Sequence, residues 1–131
     1  MVHSANVIQG KKFLEMSEAD ASKTLTVNVE SHFWLLKEIL PSMVERNRGH
    51  IVNMSSIFAH SGYPGMTDFC ASKFGSYGFH EALRLEMKHM KKNIAFTTIC
   101  PPFVNTGKFI GAVPSNTIPM FNLYWVGDRI V

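Results

Sequence analysis

Asp68-Phe69-Cys70-Ala71-Ser72-Lys73-Phe74 opens a stretch that reads as one helix over residues 69–91. A spacing of four puts positions 69 and 73 on one helical face. Lys73 then lies in the first turn, where a cation opposes the helix dipole, and that placement supports a ligand role. Ala71, Gly75, Gly78 and Ala82 line one side of this helix, with Phe79 and Leu83 beside them. Residues that small let a second backbone approach closely. At the other end, Lys88-His89-Met90-Lys91-Lys92 complements the dipole and reads as a solvated helix terminus.

Upstream, residues 56–68 carry Gly62, Pro64 and Gly65 and read as loop. Residues 50–55 read as a short buried strand, which argues against glycosylation at the sequon Asn53-Met54-Ser55. Before it, Leu25, Val29, Phe33, Leu36, Leu40 and Met43 recur at steps of three or four, one apolar face of a helix over 18–46. Ser17-Glu18-Ala19-Asp20 resembles a capping box with Asp in place of Glu. Pro41 is expected to kink or shorten the helix, and Asn47-Arg48-Gly49 to stop it. Downstream, residues 93–100 alternate as a strand, Pro101-Pro102 ends it, 103–127 is aromatic and irregular, and a last helix is expected to begin near Gly127. Helix, strand, helix, strand, with crossovers this long, predicts an open parallel α/β sheet with helices on both faces. Ligands in such sheets bind beyond the carboxyl ends of the strands, where Ser56 and residues 101–106 fall.

The chain has 131 residues, 46% of them apolar and 18% charged, which suits one globular domain. A net charge of +3, without a basic stripe interleaved with aromatics, gives no sign of a nucleic-acid partner. Cys70 and Cys100 form no Cys-x-x-Cys pair, so reduced thiols facing the cytosol are expected. No signal peptide opens the sequence, and the apolar run 118–126 falls short of the about 20 residues a span needs. The six histidines show no zinc spacing, so no metal is expected, and His32 reads as a packed helix residue. No Gly-x-Ser-x-Gly elbow suggests a serine hydrolase.

Gly10-Lys11-Lys12-Phe13-Leu14, Ser31-His32-Phe33-Trp34, Gly49-His50-Ile51-Val52 and Cys70-Ala71-Ser72-Lys73-Phe74 together resemble the short-chain dehydrogenase/reductase family. The likeness runs from about His3 to the end and is greatest to the branch of epidermal retinol dehydrogenases and 17β-hydroxysteroid dehydrogenase-like proteins. It implies a Rossmann-like, doubly wound parallel sheet, of which residues 1–131 would be the C-terminal half. The family's Gly-rich nucleotide turn and last strand have no counterpart here. The resemblance also implies an Asn-Ser-Tyr-Lys tetrad. Asn28 matches the asparagine that holds a relay water, Ser56 the serine that binds the substrate oxygen, and Lys73 the lysine that binds the nicotinamide ribose and poises the tyrosine. Phe69 stands where the tyrosine would be. Thr106 and Pro101 match positions beside the nicotinamide. Ala5 matches one position of an Asn-Asn-Ala-Gly segment otherwise replaced by His3-Ser4-Ala5-Asn6, and Pro102 replaces a family glycine.

NAD or NADP would be the cofactor and an apolar alcohol or ketone, retinoid or steroid, the substrate. Phenylalanine supplies the ring without a proton to transfer, which removes general acid/base catalysis worth about 10²–10⁴ in rate. Tyr63 and Asp68 are the nearby groups that could hold a proton instead. Phe103, Phe109, Ile110, Met120, Phe121, Tyr124 and Trp125 suit an apolar lid, core packing or contact with a membrane surface. The branch resides at the endoplasmic reticulum or lipid droplets, and the sequence carries no membrane anchor. Three functions compete: an oxidoreductase, a non-catalytic module that binds or dimerises through helix 69–91, and a degenerate truncated copy.

Overall fold

The computed structural model describes residues 1–107 and 120–129. Three parallel strands, β1 (Val2–His3), β2 (Gly49–Met54) and β3 (Ile94–Ile99), form a sheet in the order β1-β2-β3. Val2 pairs with Val52, and Gly49 to Met54 pair in register with Ile94 to Ile99. Between β1 and β2 run α1 (Glu18–Leu25), a π turn (Thr26–Glu30) and α2 (Ser31–Glu45), one after another without a break. Between β2 and β3 lie a 3-10 turn (Ile57–Ala59) and α3 (Thr67–His89). A second 3-10 turn (Phe13–Glu15) precedes α1, and α4 (Leu123–Gly127) comes last.

Both long helices pack on one face of the sheet. Leu36 and Met43 of α2 and Met87 of α3 close over Ile51 and Ile94. On the opposite face His50, Ala95 and Thr97 are exposed, and His50 Nε2 lies 2.9 Å from Thr97 Oγ1. The two long helices thus share one face, as in one wing of a doubly wound sheet. Successive right-handed crossovers that step the same way along a sheet put their helices on the same side. The second layer of a doubly wound sheet starts only where strand order reverses.

The termini follow local chemistry. At α1 the Asp20 N–H donates to Ser17 Oγ (3.1 Å) and the Ser17 N–H to Asp20 Oδ2 (3.2 Å), so the capping box closes with Asp at its third position. Pro41 does not shorten α2, which runs to Glu45; the ladder is interrupted earlier, where the Ser31 N–H reaches back to the Thr26 carbonyl. Both long helices end in Schellman motifs. Arg48 N–H donates to Met43 O and Asn47 N–H to Val44 O, with Asn47 at φ 50°. The same pattern ends α3, with Lys91 at φ 54°. The last helix ends at Gly127 rather than beginning there, because the Asn122 side chain caps it by accepting from the Tyr124 and Trp125 N–H groups.

Candidate active site

The carboxyl ends of β2 and β3 open into a cleft of about 240 Å³. Its walls include Ser56, Phe69, Lys73, Pro101 and Thr106, five of the positions picked out from sequence. Each arrives by a different route. Ser56 follows β2 in extended backbone and caps the 3-10 turn by accepting from the Phe58 N–H (3.3 Å), while its own hydroxyl leans 3.5 Å from the Pro101 carbonyl. Pro101 follows β3. Phe69 and Lys73 share a face of α3, which starts at Thr67, so Lys73 lies in the second turn and not the first.

Lys73 is 3% exposed. Its Nζ donates to the Met54 carbonyl (3.1 Å) and stands 5.3 Å from the centre of the Phe69 ring. The aromatic face attracts the ammonium group, so the ring holds the cation without accepting or giving a proton. Phe69 is buried in an aromatic cluster with Phe58 and Phe103, and Tyr63 packs on both of these. Among the tail aromatics, Phe103 is core, Tyr124 is 79% exposed and Trp125 is 48% exposed. Leu123 and Val126 face the cleft. Phe109 and Ile110 lie outside the described residues.

Asn28 does not line the cleft but braces it. It is 1% exposed in the π turn, a distortion that recurs at functional sites. Its Oδ1 accepts from the Val7 N–H (2.8 Å), and its Nδ2 donates to Val7 O and Ser72 Oγ (both 2.9 Å). It thereby ties the segment after β1 to α3 one residue before Lys73. Ala5 is exposed; its neighbours Ser4 and Asn6 line the cleft instead. Neither Tyr63 nor Asp68 lines it, and Asp68 Oδ2 accepts from Thr24 Oγ1 (2.6 Å).

Beneath the cleft lies a group of three histidines, of which the sequence reading took only His32 as a packed residue. His3, His32 and His80 are 5%, 2% and 2% exposed. Burial lowers the pKa of all three, to about 3 for His32 and about 4 for His80, and for His3 the Lys73 charge adds to the effect. Burial raises the Cys100 and Cys70 thiols, so neither is activated as a nucleophile. Among the described residues no group of three His, Cys, Asp or Glu side chains could hold a metal ion. No helix among them is long and apolar enough to cross a membrane.

A family model described as short chain dehydrogenase matches residues 1–114. The chain belongs to the short-chain dehydrogenase family. It is 43% identical over 112 residues to bovine short-chain dehydrogenase/reductase family 16C member 6, covering 85% of this chain and 35% of that protein. To human 17-beta-hydroxysteroid dehydrogenase 13 it is 41% identical over 108 residues, covering 82% and 36%. To human retinol dehydrogenase 10 it is 43% identical over 112 residues, covering 85% and 33%. A metagenomic short-chain oxidoreductase crystallised in complex with NADP matches the fold with a TM-score of 0.70 at 26% identity, over 76% of this chain and 45% of that one. This short-chain dehydrogenase chain thus spans about a third of the length of the curated relatives it matches. Its sheet is the parallel, Rossmann-like arrangement of the family.

Proposed function

We propose that the cleft is the nicotinamide-facing part of an oxidoreductase site for apolar alcohols or ketones of retinoid or steroid type, with the proton-transfer step disabled. The observation that carries this reading is the meeting of Ser56, Phe69 and Lys73 at one cleft, with the Lys73 ammonium held over a ring that bears no hydroxyl. NAD or NADP is the cofactor the reading calls for, with Lys73, Pro101 and Thr106 on its side of the cleft and Ser56 toward the substrate oxygen. The names of the retinol and hydroxysteroid dehydrogenase relatives support the substrate class. Hydride transfer from such an alcohol leaves a proton on its oxygen, and a phenol beside a lysine is the group that would take it. Leu123, Val126 and the Phe69 ring give the substrate side an apolar lining.

The test is Phe69→Tyr. With NADH or NADPH and retinal or a ketosteroid, the variant is expected to turn over about 10²–10⁴ times faster than the unmodified chain. Equal rates with and without the phenol would overturn the reading, as would efficient turnover by the unmodified chain.

A second reading, a non-catalytic dimerisation module, is favoured by one observation. Ala71, Gly75, Gly78 and Ala82 all lie on the exposed side of α3, and a Cβ at Gly78 would meet no atom within 4 Å. That small-residue face is open to a second copy of the chain. The two readings are compatible, since the face and the cleft use different sides of the helix.

A further inference from the structure

His3 from β1, His32 from α2 and His80 from α3 meet in the core where those three elements converge. The His3 and His32 rings lie 3.8 Å apart centre to centre, and His32 and His80 meet edge to face at 5.0 Å. His32 Nδ1 is 2.9 Å from His80 Nε2, so a single proton joins the two rings. His3 Nε2 is 3.0 Å from Ser31 Oγ, whose own hydrogen is committed to the Val27 carbonyl at 2.6 Å. His3 therefore donates from Nε2. Phe79 and Phe96 wall the cluster.

Its place in the fold links it to the cleft. His32 is one helical turn after Asn28, and His80 is two turns after Lys73. Whatever separates these rings also moves the two side chains that brace and line the site. The charges facing the cluster do not favour protonation. Lys73 acts on His3 and His32, and the histidines act on one another. Beyond His80, a cavity of about 240 Å³ is shared with Tyr77, Glu81 and Arg84. There the Glu81 carboxylate is already held by Arg84 through two hydrogen bonds. The His80 Nδ1 atom is buried without a hydrogen-bond partner. A proton added there is an unpaired buried cation, and on His32 the Asn28 backbone hydrogen bond offsets burial only in part. A second would set two N–H groups head to head across 2.9 Å.

We propose that His3, His32 and His80 form an acid-sensitive latch, which in its neutral form clamps β1, α2 and α3 beneath the cleft and on taking up protons lets them part. The inference does not depend on the nicotinamide reading, because its readout is the fold and not turnover. The folded imidazoles titrate below the ordinary value of 6.5, toward about 4 for His80 and about 3 for His32. The unfolded chain therefore binds more protons in that window. The clamp is intact above pH 6.5 and weakens progressively as pH falls toward those values.

Two measurements on the full chain test this. In proton NMR, the ring resonances of His32 and His80 are expected to stay at neutral-imidazole positions as pH falls from about 7, then to shift together with the loss of near-ultraviolet dichroism. Independent titration of either ring near its ordinary value, with tertiary signals unchanged, overturns the latch. In the variant arm, His80→Gln keeps a nitrogen donor toward His32 Nδ1 but takes up no proton. It is expected to lower the midpoint of the acid transition by about one pH unit. A His50→Gln control on the open sheet face leaves the midpoint in place. An unmoved midpoint in a folded His80→Gln overturns the proposal, and should that variant not fold, the NMR titration of the unmodified chain decides.

Discussion

At the scale of single residues, the hydrogen bonds of Asn28 brace the cleft from behind its wall. The Val7 N–H and C=O have their described side-chain partners in this one amide, and Ser72 Oγ is the third. Asn28→Ala would leave the Val7 backbone groups part-buried and unpaired, and such loss costs about 1–3 kcal/mol per orphaned group. We expect a loss of about 2–4 kcal/mol in urea denaturation, with the slope unchanged. A loss below about 0.5 kcal/mol for Asn28→Ala would mean that water replaces the amide at no cost.

Ser56, Phe69 and Lys73 were legible as a set because their identities and order are specific. The buried histidines were not. The apolar stripe read from sequence included Leu25 and Phe33, which are 41% and 45% exposed. The side chains that point inward along that stretch are Thr24, Asn28 and His32, at steps of four, and only from Leu36 onward does the buried face become apolar. Periodicity finds the face that oil would choose. Near a cleft the inward face is chosen by hydrogen bonding, and hydropathy is silent about it. A regular spacing of Thr, Asn and His in one helix was the signal available.

At the scale of elements, β2, β3, α3 and the outer limits of the run from α1 to α2 agree with the sequence reading to within one or two residues, because each is bounded by strong local chemistry: a capping box, an αL residue, a Pro pair; the two-residue β1 was not read from the sequence. The π turn was not legible, since no residue type marks it. Asn28 lies in it and reaches Val7 and Ser72 from there. The ends of α2 and α3 give a further test. Asn47 tolerates the left-handed conformation, but Lys91 at φ 54° has no such excuse. Lys91→Gly removes the Cβ strain and adds some backbone entropy to the unfolded chain, so a net gain of about 0.5 kcal/mol is expected by thermal or urea unfolding. Gly49 points the other way. A Cβ there would stand 2.6 Å from the Met43 sulfur and 3.0 Å from the Met43 Cβ, so the strand can approach α2 only as glycine. Gly49→Ala is expected to cost about 1–3 kcal/mol through forced repacking.

At the scale of the whole molecule, what the described sheet leaves open follows from its order. Two crossovers in the same sense cover one face with α2 and α3 and leave His50, Ala95 and Thr97 exposed on the other. On the covered side, the helices bury Leu36, Met43 and Met87 against the strands yet show Phe33, Trp34, Phe74 and Leu85 to solvent, each between 45% and 57% exposed. Single exposed apolar residues are ordinary. Four on the outer surfaces of two adjacent helices, beside a stripe of Ala and Gly, are what an isologous contact requires: large side chains to bury and small ones to let the backbones close. Gly78→Arg separates this contact from folding. A Cβ there meets no atom within 4 Å and arginine improves helix propensity over glycine, so the monomer is expected to be at least as stable. In a dimer closed through α3, the same side chain would bring a charge into the middle of the interface and face its symmetry mate. Sedimentation of the unmodified chain at micromolar concentration is then expected to show a dimer, and Gly78→Arg a folded monomer. A monomer in both cases, or a dimer in both, would overturn a contact closed through Gly78.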